Sequence, residues 1–221
     1  MGSGLTMSWE GPDREYGPPV QGKPLCTTRP SRSNEEADLN EVRKYLSNRG
    51  LDDTLALSNG WYASRNAGDA ELRVVIPCLS AELSNRFWQG RRLIDSKDRF
   101  PLRYTSPTHV RRGDALAVVQ SSNKEPKGTV LVEGPMDALA AAAMGFLGIG
   151  WMGTDPGDEP IALARRLIIP NHPVYVVSDK DAVAAAVRIW SHFVGAFLIN
   201  PYPFKDLASM PEHDRKDYFR R

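Results

Sequence analysis

Cysteine is nearly absent from this 221-residue chain: Cys26 and Cys78 are the only two. They lie far apart and form no CxxC pair. That excludes a four-cysteine or cysteine/histidine zinc ribbon and a disulfide framework, and it suits a reducing cytosol. Histidine is also scarce. His109, His172, His192 and His213 are read as surface or turn residues, and no Ser-His-Asp or Cys-His set stands out. An excess of one charge is missing too: 28 Lys and Arg against 27 Asp and Glu leave a net charge of +1. A uniformly basic coat is thereby excluded, though a local basic patch is not. The longest apolar run without a charge, Ala138 to Thr154, is broken by Gly145, Gly148, Gly150 and Gly153. It falls short of the ~20 apolar residues of a membrane helix and reads as helix, turn and buried strand. No basic-then-apolar leader opens the chain, so a cytoplasmic protein without a membrane partner is expected.

What is present is a foldable chain, with 41% hydrophobic residues. Residues 1–34 are rich in Gly and Pro and poor in aliphatics, and are read as a disordered tail. A helix is expected from about Glu35 to Leu46, ending at Asn48-Arg49-Gly50. Leu72–Leu79 and Arg86–Leu93 read as two strands of a hairpin joined at Glu82–Asn85, and Ala115–Gln120 as another strand. Ser121–Gly128 is a polar linker. Beyond it strand and helix alternate: strands at Thr129–Val132, Phe146–Ile149, Val174–Val177 and Ala196–Ile199, and helices at Pro135–Met144, Ile161–Leu167 and Asp181–Phe193. Short connections between such elements imply an α/β fold with a parallel sheet and right-handed crossovers. The expected division is 1–34 tail, 35–127 a smaller α+β basic subdomain, 128–208 a catalytic α/β domain, and 209–221 a charged, solvated helix.

Two of the expected strands end in acids. VLV runs into Glu133-Gly134-Pro135-Met136-Asp137, and VYVVS into Asp179-Lys180-Asp181. In parallel α/β sheets ligands collect beyond the carboxyl ends of the strands. Residues two apart on an extended strand share a side, so Asp179 and Asp181 are expected to point together. Asp137 falls in the first helical turn after Glu133. Four carboxylates meeting in one crevice repel one another, so either their pKa values rise or a cation binds. Hard oxygen donors favour Mg2+ or Mn2+. Asp206, in Lys205-Asp206 after the last strand, is a further candidate for the same face.

The opposite charge collects upstream. Between Arg86 and Arg112 stand eight Lys or Arg against two Asp, whereas Glu133 to Pro160 holds five acids and no Lys or Arg. One segment suits phosphates and the other cations. Phe87, Trp88, Phe100 and Tyr104 interleave with the basic residues, as in grooves that stack single-stranded bases. Phe87 and Trp88 are nevertheless read as core, and Arg91 and Arg103 as phosphate contacts.

Taken together, these residues resemble the catalytic core of bacterial-type DNA primases, which contain a TOPRIM domain. VLVEGPMDALAAAAMG is similar to that family's first TOPRIM motif, VYVVSDKDAVAAA to its DxD motif, FLGIGWMGT to the intervening strand and Gly-Thr turn, and FKDLASM to the KD element. Upstream, YLSNRGL resembles the YLxxRG(L/I) segment of the primase amino-terminal subdomain. The stretch from IPCLSA through FWQGRRLID to LRYTSP resembles its Gly-Arg and Lys-Tyr-x-x-Ser/Pro region. Six matches in order cover most of the chain.

The resemblance implies a TOPRIM domain preceded by a smaller primase subdomain, and template-directed synthesis of short RNA primers on single-stranded DNA from NTPs. It implies catalytic roles for Glu133, Asp137, Asp179 and Asp181. Glu133, Asp179, Asp181 and Asp206 would hold Mg2+ or Mn2+. Arg49, Arg91, Arg103, Tyr104 and Lys205 would contact template or nucleotide. Set against the family pattern, the protein is expected to be without the zinc ribbon and without a helicase or helicase-binding domain. Ala182-Val183 replaces the usual AG after DxD, and Leu207-Ala208 follows Asp206 where many members carry a second acid. The expected form is a minimal, phage-like primase at a replisome, with a zinc-ribbon protein and a replicative helicase acting in trans or dispensed with, and no zinc of its own. The acids alone would also serve a TOPRIM-type nuclease, and the fold alone a non-catalytic nucleic-acid-binding replisome module.

Overall fold

In the computed structural model the described residues are 29–67, 71–80, 87–93, 103–107, 112–153 and 156–219. In chain order the elements are α1 (Glu36–Asn48), α2 (Asp53–Ser58), β1 (Tyr62–Ser64), β2 (Arg73–Ser80), β3 (Phe87–Arg92), β4 (Tyr104–Thr105), β5 (Ala115–Val119), β6 (Thr129–Val132), α3 (Pro135–Ala143), β7 (Leu147–Trp151), α4 (Asp158–Leu167), β8 (Val174–Val177), α5 (Val183–Trp190), β9 (Phe197–Ile199) and α6 (Glu212–Tyr218). Among the described residues the nine strands belong to one sheet of order β4-β3-β2-β5-β7-β6-β8-β9, with β1 paired to β2.

The sheet is mixed. β1, β3 and β5 lie antiparallel to β2, β4 lies antiparallel to β3, and β7 lies antiparallel to β5. From β7 onward, through β6, β8 and β9, every pairing is parallel. The expected strands and helices after Gly128 are present, and so is the pairing of β2 with β3. The hairpin turn Glu82–Asn85 lies outside the described residues. The β5 strand, upstream of the linker, is hydrogen-bonded to β7 downstream of it, so one sheet runs through both parts.

Short apolar strands are buried on both faces at the centre of this sheet. Val130, Val132, α1, α2 and α3 share one core cluster, and Leu131, Ile149, α4 and α5 share the other. The alternation of Val130, Leu131 and Val132 between the two clusters is the period-two geometry of a strand covered on both sides. The α3 helix sits unusually close to β7. A Cβ on Gly148 would fall 2.0 Å from the Ala138 carbonyl oxygen, and one on Gly150 would fall 2.6 Å from that of Gly134. The alanines of α3 and the glycines of LGIGW are thus one device, since small residues on both partners let the backbones approach.

The outer parts differ from expectation in three ways. Residues 1–28 lie outside the described set. Within the rest of the stretch read as a tail, Ser33 donates its N–H to Ala63 (2.8 Å), and the Tyr62 hydroxyl donates to the Pro30 carbonyl (2.8 Å). The α2 helix and β1 were not expected at all. The final helix, α6, is not simply solvated. Arg215 is only 2% exposed and donates to the Gly50 carbonyl at 2.6 Å. Phe219, just beyond α6, packs on Phe146 and Tyr175. Among the described residues no helix is long and apolar enough to cross a membrane.

Candidate functional site

Three strand ends converge on one rim. The first is β6, which stops at Val132 and delivers Glu133. Gly134 then takes an extended conformation as N-cap, and Pro135 occupies the first turn of α3, where its missing N–H costs nothing. This places Asp137 in that turn, buried, with its Oδ1 accepting the Ala208 N–H at 2.8 Å. The second end is β8, which stops at Val177. Ser178 donates its N–H to Ile199 (3.0 Å), and Lys180 donates its N–H to the Lys205 carbonyl (2.7 Å). The turn carrying Asp179 is thereby stitched to the segment after β9. In that segment Asp206 closes a tight turn by accepting the Ser209 N–H at 2.7 Å.

These carboxylates sense one another. Burial pushes Asp137 up to about 8, with the Asp206 and Asp179 charges adding to it and the Ala208 N–H opposing it. Asp179 is pushed up to about 7 by burial, then by the charges of Glu133 and Asp206, against Lys205. Glu133 is raised by burial, with Lys205 opposing and Asp206 reinforcing. Asp206 therefore acts on all three of the others. Asp181 sits differently from expectation. Because β8 ends at Val177, residues 179–181 form a turn, and the side-sharing rule for strands does not reach Asp181, which is exposed. It is the weakest of the charges felt by Asp179.

The donor set fits a hard divalent cation. Every available ligand is a carboxylate or hydroxyl oxygen, and the three acids with raised pKa values gain most from a nearby positive charge. Ser178, which the sequence reading passed over, adds an observation of its own. It is 4% exposed, and its Oγ has no hydrogen-bond partner. It lines a space of about 20 Å3 together with Glu133 and Asp179. That is room for about one water, in a lining that is otherwise mostly apolar. Among the described residues no three acidic, His or Cys side chains form a ready-made cage. A larger cleft of about 640 Å3 lies at the opposite end of α3, against Lys127, Gly145 and Phe146, and holds none of these acids.

The basic candidates are dispersed. Lys205 is exposed beside the rim and lowers the pKa of Glu133 and Asp179. Arg103 is exposed, 6.0 Å from the Tyr104 ring. Arg91 does not stand on an open ridge. It is 1% exposed, donates to the Tyr104 hydroxyl at 2.7 Å and lies 4.7 Å from that ring. Arg49 is half-buried at the C-cap of α1, over the Tyr45 ring. Phe87 and Trp88 are core residues. Arg86, Lys97, Arg99, Phe100 and Arg111 lie outside the described residues, as does Thr154 of the expected Gly-Thr turn.

This fold resembles that of known primase catalytic domains. A DnaG primase catalytic domain bound to single-stranded DNA matches 84% of this chain and 74% of its own, with a TM-score of 0.58 and 18% identity. The RNA polymerase domain of Mycobacterium tuberculosis primase DnaG, in complex with a DNA duplex carrying a 6-nucleotide overhang, matches 83% of this chain and 74% of its own, with a TM-score of 0.57 and 18% identity. The primase fragment of the bacteriophage T7 primase-helicase matches 79% and 71%, with a TM-score of 0.55 and 12% identity. No protein-family model and no curated protein matches the sequence. The likeness is therefore one of fold, shared with both bacterial and phage primases.

Proposed function

We propose that this chain is the catalytic unit of a DNA primase: a TOPRIM domain at 128–208 behind a primase subdomain at 35–127, making short RNA primers on single-stranded DNA. The observation that carries the reading is the convergence of Glu133, Asp137, Asp179 and Asp206 at the carboxyl-end rim of a primase-like sheet, each acid sensed by another.

In this reading one or two of Glu133, Asp179 and Asp206 would hold Mg2+ or Mn2+ directly and the rest through waters, with exposed Asp181 at the outer margin. A bound ion would supply Lewis-acid activation of the 3′ hydroxyl and neutralise the leaving pyrophosphate. The chain's own residues do the rest. Asp137 holds the Asp206 turn in place through the Ala208 N–H. Lys205 sets a cation beside the acids, where a triphosphate would enter. Arg103 and Tyr104 contact the template strand. No protein nucleophile is required, so catalysis rests on positioning and charge neutralisation.

The test is incubation of the chain with single-stranded DNA of mixed sequence, NTPs and Mg2+ or Mn2+, alone and with an added zinc-ribbon protein and helicase. Short RNA products are expected, reduced at least ~100-fold in Asp179→Ala. DNA shortened without RNA synthesis would instead assign a nuclease. Activity unchanged in Asp179→Ala would place the function away from the rim.

A further inference from the structure

The rim carries an aromatic ring that neither its acids nor the core accounts for. β9 runs parallel to β8, and β8 to β6, so the carboxyl end of β9 opens on the same side as the ends that deliver Glu133 and Asp179. In parallel sheets that side is where ligands collect. Three residues beyond β9 stands Tyr202. It is 68% exposed, the most exposed aromatic side chain among the described residues. Packing is left to Phe204, two residues on, which is half-buried against the core cluster that includes α3.

The ring is nevertheless held in place. The Tyr202 N–H donates to Asn200 Oδ1 at 3.0 Å, and the Phe204 N–H donates to the Pro201 carbonyl at 2.9 Å. Residues 200–204 thus form a closed turn with Tyr202 on its outside. The Tyr218 hydroxyl donates to the Asn200 carbonyl and fixes the base of that turn. A further tie runs to the acids. Lys180 donates its N–H to the Lys205 carbonyl at 2.7 Å, and its ammonium lies over the Tyr202 ring, 5.7 Å from the centroid. That is within reach of a cation–π contact, which steadies the ring. Lys180 stands between Asp179 and Asp181 in the chain, so the ring is one lysine side chain away from the turn that carries both. Lys205, three residues after Tyr202, sets its ammonium 4.0 Å from Asp206 Oδ2.

Acids that hold a hard cation draw phosphates to it, and lysine ammoniums neutralise the charge that remains. A preset ring facing solvent offers its π-face to a base, and stacking of this kind needs no hydrogen-bond code. The template strand brings no triphosphate, so acids, Lys205 and Tyr202 gathered on one rim fit the incoming nucleotide better than the template. We propose that Tyr202 is the platform on which the base of the incoming ribonucleoside triphosphate stacks, with the phosphates lying toward Lys205 and the acids. The inference deepens the primase reading and rests on it for the identity of the rim. Because every base has a π-face, the platform serves all four nucleotides alike.

Steady-state primer synthesis by the full chain tests it, together with equilibrium dialysis of the chain against ATP and Mg2+. Tyr202→Ala is expected to raise the KM for each of the four NTPs ~5-fold or more and to leave kcat unchanged, whereas Tyr202→Phe keeps the wild-type KM. Inorganic triphosphate, which has the phosphates and no base, should bind wild type and Tyr202→Ala equally. Primer synthesis with a KM indifferent to Tyr202→Ala would overturn the platform and leave the primase reading standing. Equal losses for ATP and inorganic triphosphate would also overturn it, and so would weakened single-stranded DNA binding at an unchanged KM. A wild-type chain that makes no primers would sink the primase reading, and dialysis then decides the platform by itself. ATP binding weakened ~5-fold or more in Tyr202→Ala would uphold it, and equal or absent binding would overturn it.

Discussion

The Asp137 carboxylate and the Ala208 backbone N–H, 71 residues apart in sequence, meet at 2.8 Å in the buried floor of the acidic rim. This contact ties α3 to the turn that presents Asp206, so one acid positions another.

The contact separates two roles of Asp137. Asp137→Ala removes the acceptor and leaves a buried N–H unpaired, at a cost of about 1–3 kcal/mol. In a chain of this size that corresponds to a drop of roughly 2–4 °C in melting temperature for each kcal/mol. Asp137→Asn keeps an acceptor oxygen and removes a buried acid, so in metal-free neutral buffer it is expected to melt at or above wild type. Thermal denaturation in EDTA checks this order. An Asn variant as unstable as the Ala variant would mean that the contact does not hold the turn.

Gly150 is expected to control the rim without touching it. An added Cβ would meet the Gly134 carbonyl oxygen and carbon at 2.6 and 2.8 Å, and these are backbone atoms that cannot swing aside. Gly150→Ala must therefore push the Glu133–Pro135 segment outward. A loss of about 1–3 kcal/mol from overpacking is expected, together with loss of the primer synthesis proposed above. Gly153→Ala, with no atom within 4 Å of the new Cβ, is the control, expected to shift stability by no more than about 0.5 kcal/mol. Equal melting temperatures for the two variants would contradict the close approach of α3 and β7.

The sheet's parallel half was legible because each strand is a short apolar run closed by Gly, Pro or an acid, and each helix between them is long enough to show its period. The α2 helix and β1 were not, since six and three residues carry no periodicity. Only the Asp52 N-cap and the Asn59-Gly60 turn marked them. The misplacement of Asp181 has a definite cause: the two-residue period was carried past Val177, where the strand stops. Asp206 entered as an addition, yet its charge reaches Glu133, Asp137 and Asp179 alike, because the chain returns to the rim after β9. Arg215 could not be told from its charged neighbours in PEHDRKDYFRR. Its burial depends on Gly50, 165 residues earlier. Arg91 raised the same difficulty in the basic segment, where eight cations look alike until the fold buries one against Tyr104.

The burial of Arg91 changes what its substitution should do. Arg91→Ala removes a buried hydrogen bond to the Tyr104 hydroxyl and the stacked guanidinium, so about 1–3 kcal/mol of stability is expected to be lost. The salt dependence of single-stranded DNA binding should hold steady. Arg103→Ala is expected to do the reverse. It leaves the melting temperature nearly unchanged and flattens the salt slope by about 0.7, the value of one phosphate contact on a single strand. Binding titrations across a salt series, paired with melts, separate the two residues. A flattened slope in Arg91→Ala with normal stability would return that residue to the template surface.

The acids of the rim make the metal-free protein sensitive to pH in a definite direction. Asp137 and Asp179 are raised to about 8 and about 7, chiefly by burial. In the unfolded chain they return to the ordinary aspartate value near ~3.9. Between roughly pH 4 and pH 8 the folded state therefore holds protons that the unfolded state has released, and this contribution to stability declines as pH rises through that window. A divalent cation bound at the rim replaces those protons as the neutralising charge. Excess Mg2+ is accordingly expected to raise the melting temperature strongly at about pH 8.5 and little at about pH 5.5. Asp179→Asn lacks one of the titrating groups. Relative to wild type in EDTA it should gain stability as pH rises, and its response to Mg2+ at high pH should shrink. Other groups also titrate across this range, so the informative quantity is the difference between wild type and Asp179→Asn at each pH. If that difference is flat, Asp179 carries no raised pKa. If Mg2+ stabilises both proteins equally, the ion binds somewhere other than between Glu133, Asp179 and Asp206.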